Sequence, residues 1–296
     1  MPQRERLARG SGAVTRSRRY CLVMPTPQVP DGAPGQRRVA VGVRAAYDAV
    51  ACAYHDQLGD ELAGKPLDRA VLEAFTELAG EGMIADVGCG PGHVARFLAT
   101  RHARVIGIDI SPGMIGVARE HAPTLPFAVA SMLQLPAVDG AWSGIIALYS
   151  IIHLTAVCRA RACREFARAV RPGGWLLAAF HIDSQDFAAG EVHHLTTWFG
   201  KAVELDGYFL EPADVVGDVE AAGFAVTATL VRSPCPGIEY RADAATCSPS
   251  DTDRPDLGRW DTTRERTHLP RRGKDHRVIS PCYLADAGGW SGGAAC

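Results

Sequence analysis

The sequence predicts an α/β protein built on a doubly wound, mostly parallel sheet. Three observations predict this class. Short apolar runs alternate with amphipathic helical stretches between residues 83 and 232. Most of these runs are apolar throughout, as is typical of parallel strands buried on both faces. A glycine-rich turn follows the first run and leads into a helix. Such a sheet has right-handed crossovers and binds its ligand beyond the carboxyl ends of the strands.

The N-terminal segment differs in composition from the rest of the chain. Residues 1–40 contain eight arginines, two acids and few large apolar side chains, so we interpret them as a disordered basic extension. They lack the apolar core of a secretory signal, and no apolar run in the sequence approaches the roughly 20 residues that span a bilayer. We therefore expect a cytoplasmic location and no membrane partner.

Charge and cysteine usage narrow the possible partners. Residues 41–240 contain 14 basic and 23 acidic side chains. An acidic domain argues against nucleic-acid binding, which depends on neutralising phosphates, so we expect a small-molecule partner. The nine cysteines are scattered without a CxxC pair, which indicates reduced thiols and no metal site. Nothing in the sequence indicates an oligomeric state.

Helical periodicity covers residues 43–80. Val43, Tyr47, Val50 and Tyr54 form one apolar stripe with a period near 3.6. A second helix is predicted to begin at Pro66 and to end at Gly80, because proline suits a first helical turn and glycine a C-terminal cap.

Strands and helices then alternate in the order that the fold class requires. A further helix is predicted to begin after Ser111, with Pro112 at its first position. The predicted strands are residues 83–88, 104–110, 127–130, 143–150, 174–182 and 224–232, and the other predicted helices are residues 93–100, 155–170 and 211–222.

Two segments depart from this alternation. Residues 183–210 interrupt it and are interpreted as an inserted substrate cap, with His193 and His194 on a mobile surface loop rather than in a metal site. Residues 241–296 are crowded with Asp, Arg, Pro, Gly and Ser and are interpreted as a disordered tail. The domain between the two disordered ends therefore covers residues 41–240.

The stretch ADVGCGPGHVARFL, residues 85–98, carries the main functional signal. Gly88, Gly90 and Gly92 leave room for a ligand against the turn, and the helix that follows presents free N–H groups. Asp109 ends the next strand, where a carboxylate can bind both hydroxyls of a ribose. The third glycine comes one residue too early for a dinucleotide fingerprint. The acid Asp86 before the turn favours a nucleoside that bears an amine.

These motifs resemble class I S-adenosylmethionine-dependent methyltransferases of the small-molecule type. The resemblance covers about residues 44–232. It rests on DVGCGPG at the glycine turn, GIDISPGMI at the ribose motif, RPGG before the fifth strand and EAAGF before the sixth. It implies a Rossmann-like methyltransferase fold with S-adenosyl-L-methionine as cofactor.

The resemblance also implies roles for individual residues. Tyr47 and Tyr54 either close over the cofactor or pack in the core. Ser131 stands where the family usually has an acid at the adenine, which makes an adenine contact by this side chain less secure. The implied cofactor-binding residues are Asp86, Gly88, Cys89, Gly90 and Gly92 at the methionine part, Asp109 at the ribose, Ile110, Met114, Ser131 and Met132 near the adenine, and Tyr149 and Ser150 beside the sulfonium.

Two histidines are candidates for acid–base catalysis. His153 follows the fourth strand and His181 ends the fifth, so both are expected at the rim of the pocket and both titrate near neutrality. A structural role is the alternative for each. A base is needed only where the acceptor atom is protonated, as in an alcohol or an ammonium.

The last strand of the family has no clear counterpart. Such domains end in an antiparallel strand beside the fifth, whereas RVISPCYLADA, residues 277–287, is interrupted by Pro281. The sheet is therefore expected to lack this strand, and one hypothesis is a shift of reading frame near residue 241.

The sequence thus predicts an S-adenosylmethionine-dependent methyltransferase that acts on an O, N or C atom of a small molecule. Two alternatives stay open: an NAD(P)-dependent oxidoreductase, and a non-catalytic cofactor-binding relic with a damaged C-terminus.

Overall fold

The computed structural model describes residues 34–184, 186–232 and 280–287. No helix in these ranges is long and apolar enough to cross a membrane. The helices are α1 Pro34–Leu58, α2 Pro66–Ala79, α3 His93–Thr100, α4 Pro112–His121, α5 Ala156–Ala169 and α6 Pro212–Ala221. The strands are β1 Met83–Val87, β2 Arg104–Asp109, β3 Phe127–Val129, β4 Trp142–Leu148, β5 Val170–Ala179, β6 Val192–Trp198, β7 Lys201–Tyr208, β8 Phe224–Arg232 and β9 Ser280–Ala287. Short 3-10 helices cover Glu61–Gly64 and Ile151–His153.

The main sheet has the order β3-β2-β1-β4-β5-β9-β8. The pairs of β1 with β2 and β4, of β2 with β3, and of β4 with β5 are parallel, whereas β9 is antiparallel to both of its neighbours. The carboxyl ends of β1, β2 and β4 therefore lie at one edge of the sheet, and the loops that follow them build the site. This arrangement confirms the predicted α/β class.

Both faces of the sheet are covered, which explains why its strands are apolar throughout. Ile145 packs into the cluster that contains Phe166 of α5, while its neighbour Ile146 packs into the cluster that contains Phe75 of α2. Successive side chains of a strand point to opposite faces, so a strand with two covered faces has no polar alternation.

Helix α1 and the hairpin β6–β7 form a cap, which we define as residues 34–58 and 192–208. Trp198 of the hairpin meets the rings of Tyr47 and Tyr54 of α1 edge-on, at centroid distances of 5.2 and 5.6 Å. On its other side α1 holds the start of α4, since Asp48 accepts hydrogen bonds from the Ser111 hydroxyl (2.6 Å) and the Gly113 amide (2.8 Å).

Most of the predicted elements are confirmed within a few residues. Ser111 caps α4 by accepting a hydrogen bond from the Met114 amide at 3.0 Å, and Gly80 ends α2 with φ of 61°. Helix α1 already begins at Pro34, so the predicted boundary at residue 40 is too late. Residues 1–33 and 233–279 lie outside the described residues.

The expectation that the sheet lacks its last strand is wrong. Ser280–Ala287 forms β9, inserted between β5 and β8, so part of the predicted tail is ordered. Pro281 is compatible with a strand because the ladder to β5 begins only at Cys282, and Pro281 pairs with Val231 of β8 alone. A proline at the start of a strand removes no hydrogen bond from the ladder that begins after it.

The prediction of a mobile loop around His193 and His194 is also wrong, because both residues lie in β6. His194 contacts Asp206 (2.7 Å) and Glu204 (3.0 Å) across the hairpin, and the hydrogen bond with Asp206 raises the pKa of His194.

Candidate active site

The glycine turn is tied to the neighbouring strand. The amides of Gly88 and Cys89 both donate to the carbonyl of Ile108 in β2, at 2.7 and 3.0 Å. Gly88 has φ of 76°, and a Cβ at this position would overlap Cβ of Ser150. Since a side chain is rarely tolerated at this φ and has no room here, glycine is required.

Asp109 is held in place by backbone donors from two loops. Its Oδ2 accepts from the Gly90 amide at 2.9 Å and its Oδ1 accepts from the Ser111 amide at 2.8 Å. Burial raises the pKa of Asp109 to about 6, although these hydrogen bonds oppose the shift. Each carboxylate oxygen can still accept a further hydrogen bond from a ligand.

Two buried polar atoms beside the turn have no hydrogen-bond partner among the described residues: Oδ2 of Asp86 and Nδ1 of His93. Burial raises the pKa of Asp86 to about 7, and the nearby charge of Asp109 adds to the shift. A buried polar group without a partner is costly, so these two atoms are positions at which a ligand can supply the missing contact.

A network of charged side chains lies at one end of the site. Lys65 Nζ contacts Glu61 at 2.7 Å, and His93 Nε2 lies 3.2 Å from the same carboxylate. Burial alone would raise the pKa of Glu61, but His93 and Lys65 outweigh it and lower that pKa to about 2. Arg232 forms a bidentate ion pair with Asp68. Its Nε donates to Oδ1 and its Nη2 donates to Oδ2, both at 2.8 Å.

His153 joins the sheet to both parts of the cap. Its Nε2 lies 2.7 Å from the hydroxyl of Tyr47 in α1, and its Nδ1 lies 2.7 Å from the backbone carbonyl of Asp206 in β7. Burial lowers the pKa of His153, although the Asp206 carbonyl opposes this shift. The imidazole is therefore neutral at physiological pH.

Tyr149 follows β4 in a left-handed backbone conformation, with φ of 50°. Its ring stacks on His181 at 4.9 Å, and the Lys65 ammonium lies 5.9 Å from its centroid. A bulky residue with positive φ is strained, and such strain is concentrated at functional sites.

Most of these groups line one cavity, which opens to solvent. Both candidate tyrosines, Tyr47 and Tyr54, line this cavity. Most of the predicted site residues also line it: Asp86, Gly88, Cys89, Gly90, Asp109, Ile110, Ser131, Met132, Tyr149, Ser150 and His153.

Three predicted site residues lie behind the cavity wall. Gly92 caps α3, and a Cβ on it would lie 2.9 Å from the ring of Phe127. Met114 is fully buried in the cluster under α1. His181 is not in the cavity lining, and its ring stacks on that of Tyr149.

The charged network was not predicted from the sequence. Lys65 and Asp68 are charged residues near the start of a helix, a common and normally exposed position. Their burial depends on partners elsewhere in the chain, so no local pattern indicates it. Pro66 predicts only the start of α2.

A family model described as a methyltransferase domain matches residues 84–174, which contain the glycine turn, Asp109 and His153. This part of the chain is therefore similar to the methyltransferase domain family.

Curated methyltransferases are similar to parts of the chain. An O-methyltransferase of Pyrenophora dematioidea is 34% identical over 126 residues, 40% of this chain and 46% of the relative. A ubiquinone biosynthesis O-methyltransferase of a Methylobacterium species is 28% identical over 232 residues, 75% of this chain and 79% of the relative. The matched part of the chain thus spans about half the length of the first curated relatives.

Solved structures share the fold of this chain. The 1,6-didemethyltoxoflavin-N1-methyltransferase of Burkholderia thailandensis superposes with a TM-score of 0.55 over 88% of this chain and 92% of its own, at 14% identity. At this identity the likeness shows the fold alone.

Proposed function

We propose that the protein transfers a methyl group from S-adenosylmethionine to an oxygen, nitrogen or carbon atom of a small molecule. One observation carries the proposal: beside the glycine turn, Asp86 Oδ2 and His93 Nδ1 are buried, line the cavity and have no partner among the described residues. A nucleoside that bears an ammonium group supplies the donor that the Asp86 carboxylate lacks.

The other cavity groups fit the remaining parts of this cofactor. The Asp109 carboxylate, fixed by two amides, accepts hydrogen bonds from ribose hydroxyls. Ile110 and Met132 offer apolar contacts to the adenine, with Ser131 at its edge, and Ser150 and Tyr149 lie at the end of β4 toward the sulfonium. When bound, the cofactor supplies the activated methyl group, so the protein has to align the acceptor and exclude water.

The charge of the cavity argues against the oxidoreductase alternative. Glu61 and Asp68 are paired with Lys65 and Arg232, so the two carboxylates at the turn, Asp86 and Asp109, dominate the charge near a ligand. They favour a cationic sulfonium compound. They would repel the two phosphates of NAD(P), whose binding turns normally offer amides and a helix N-terminus instead.

His153 and the cap are the parts of the protein that we propose to act on the methyl acceptor. His153 lines the cavity as a neutral imidazole and is the candidate proton acceptor. His181 stacks behind Tyr149 and supports that ring. The segment 183–210 contributes the hairpin that covers the site. We also propose that the acceptor is a cytosolic small molecule rather than a nucleic acid.

Calorimetric titration with S-adenosylhomocysteine tests the cofactor. We expect binding by the full chain, no binding of NADH, and about 10- to 100-fold weaker binding by Asp86→Asn, because a charge-assisted hydrogen bond contributes about 1.5–3 kcal/mol. The control Glu120→Gln removes an exposed carboxylate of α4 and leaves the affinity unchanged. Binding of NADH, or an unaffected Asp86→Asn, would overturn the proposal. Cofactor binding without turnover of any acceptor would support the relic instead.

A further inference from the structure

The hydrogen bonds of His153 determine which of its nitrogens carries the proton. The Asp206 carbonyl can only accept, so Nδ1 is the protonated nitrogen of the neutral ring. Nε2 is then an acceptor, and the Tyr47 hydroxyl donates its proton to it across 2.7 Å. The cap thus fixes both the tautomer and the orientation of the imidazole.

His153 and Tyr47 both line the cavity. His153 is only 7% exposed, and its one basic atom already accepts from Tyr47. The Tyr47 oxygen has given its single proton to this bond and keeps its lone pairs, and Tyr47 lines the cavity. A ligand hydroxyl can therefore donate to the Tyr47 oxygen while Tyr47 donates to His153.

We propose that the acceptor is a phenol and that its proton leaves through Tyr47 to His153, which makes Tyr47 a catalytic residue. The inference rests on the proposed function. As the acceptor oxygen forms its bond to the methyl carbon, the sulfur–carbon bond breaks and its electron pair stays on sulfur. The acceptor proton moves to the Tyr47 oxygen, and the Tyr47 proton moves to Nε2. The imidazolium later releases that proton to water, so Tyr47 ends each turnover neutral.

The cavity wall favours a phenol over other acceptors. The rings of Tyr47, Tyr54 and Tyr149 line it and suit the faces and edges of a planar ring. A carboxylic acid is ionised at neutral pH and needs no base, and the carboxylates of Asp86 and Asp109 would repel it. A carboxylic acid acceptor would therefore give no role to a proton path from Tyr47 to the buried, neutral imidazole of His153. A phenol is protonated at neutral pH and requires such a path.

The test compares a protonated phenol with one that is already ionised. At about pH 8.5, 4-methylphenol keeps its proton because its pKa lies near that of tyrosine, about 10, whereas 4-nitrophenol is ionised. With isotopically labelled methyl donor, we expect Tyr47→Phe and His153→Asn to lower kcat for 4-methylphenol by about 100-fold, the lower range for acid–base catalysis. For 4-nitrophenol we expect both variants to stay within about threefold of the unaltered protein, on the same principle.

The variants separate proton transfer from folding. The asparagine amide of His153→Asn can still donate to the Asp206 carbonyl, so the contact with the cap is kept. Tyr208→Phe removes a tyrosine hydroxyl of the hairpin outside the cavity lining and leaves both rates unchanged. Equal losses with both phenols would mean that Tyr47 acts structurally and would overturn the inference. Faster methylation of 4-methylbenzylamine or 4-methylbenzoate would also overturn it.

Binding measured on the same samples distinguishes the two proposals. A protein that binds S-adenosylhomocysteine but methylates neither these phenols nor a set of fused-ring phenols overturns the inference and leaves the cofactor proposal standing. A protein that binds no S-adenosylhomocysteine overturns both.

Discussion

At the scale of single residues, two glycines of the binding turn face different constraints. Gly88 has φ of 76° and no room for a Cβ beside Ser150, while Gly90 has φ of 51° and open space around the Cβ position. A left-handed conformation alone costs an alanine about 1–2 kcal/mol. We expect Gly90→Ala to lower the free energy of unfolding by about that amount and Gly88→Ala to lower it by more. Urea denaturation measures both, and equal losses would show that Ser150 moves away freely.

Asp86 is the residue whose burial should be visible as a dependence of stability on pH. Burial raises its folded pKa to about 7, above the unfolded value of about 3.9. The native state therefore binds more protons between these values, and the contribution of Asp86 to stability is lost as the pH rises through this window. Below pH 4 the contribution is fully present.

We expect the Asp86→Asn variant not to show this loss of stability with rising pH. Relative to that of the unaltered protein, its free energy of unfolding should increase between about pH 4 and pH 7.5, because only the carboxyl group titrates there. Urea denaturation at both pH values gives the difference. A difference that does not change with pH would mean that Asp86 is not desolvated.

At the scale of elements, the cap depends on one aromatic cluster. Trp198 meets Tyr47 and Tyr54 edge-on and stacks on Phe199 at 5.2 Å. Phe199 and Gly200, with φ of 46° and 70°, form the tight turn that gives the hairpin its twist. The cluster holds the hairpin against α1, and so places the Asp206 carbonyl beside His153.

Removal of Trp198 should therefore open the cap without unfolding the sheet. Since aromatic pairs contribute about 0.5–1.5 kcal/mol each, we expect Trp198→Ala to speed amide hydrogen exchange in α1 and β6–β7 by at least about tenfold. Exchange in β1 and β4 should stay unchanged, and the control Val192→Ala, at an exposed position of the hairpin, should alter neither region. Faster exchange throughout the sheet would show that the cap and sheet open together.

At the scale of the molecule, what the sequence predicts depends on how far apart the interacting residues lie. The sequence predicts the turn from Asp86 to Gly92 and the acid Asp109, because these residues lie close together in the chain and their spacing indicates a strand, a turn and a helix followed by the next strand. The pair of Asp68 and Arg232 spans 164 positions, and its partners are recognisable only when α2 and β8 are packed. The contact of the Asp206 carbonyl with His153 is also not predictable from the sequence, because any residue type has a backbone carbonyl. The sequence does not predict strand β9, because Pro281 suits an interruption of an apolar run as well as the start of a strand.

Strand β9 fills the sheet between β5 and β8, and its loss would expose the ladder groups of both strands. Trp175–Ala179 of β5 and Phe224–Arg232 of β8 pair with β9 along its length. Unpaired strand edges recruit other chains, so truncation after residue 279 should produce an aggregating protein, measured by light scattering. Truncation after residue 287 keeps β9 and serves as the control, which we expect to behave like the full chain. If the shorter protein stays monodisperse and binds S-adenosylhomocysteine normally, then β9 does not hold this part of the sheet together.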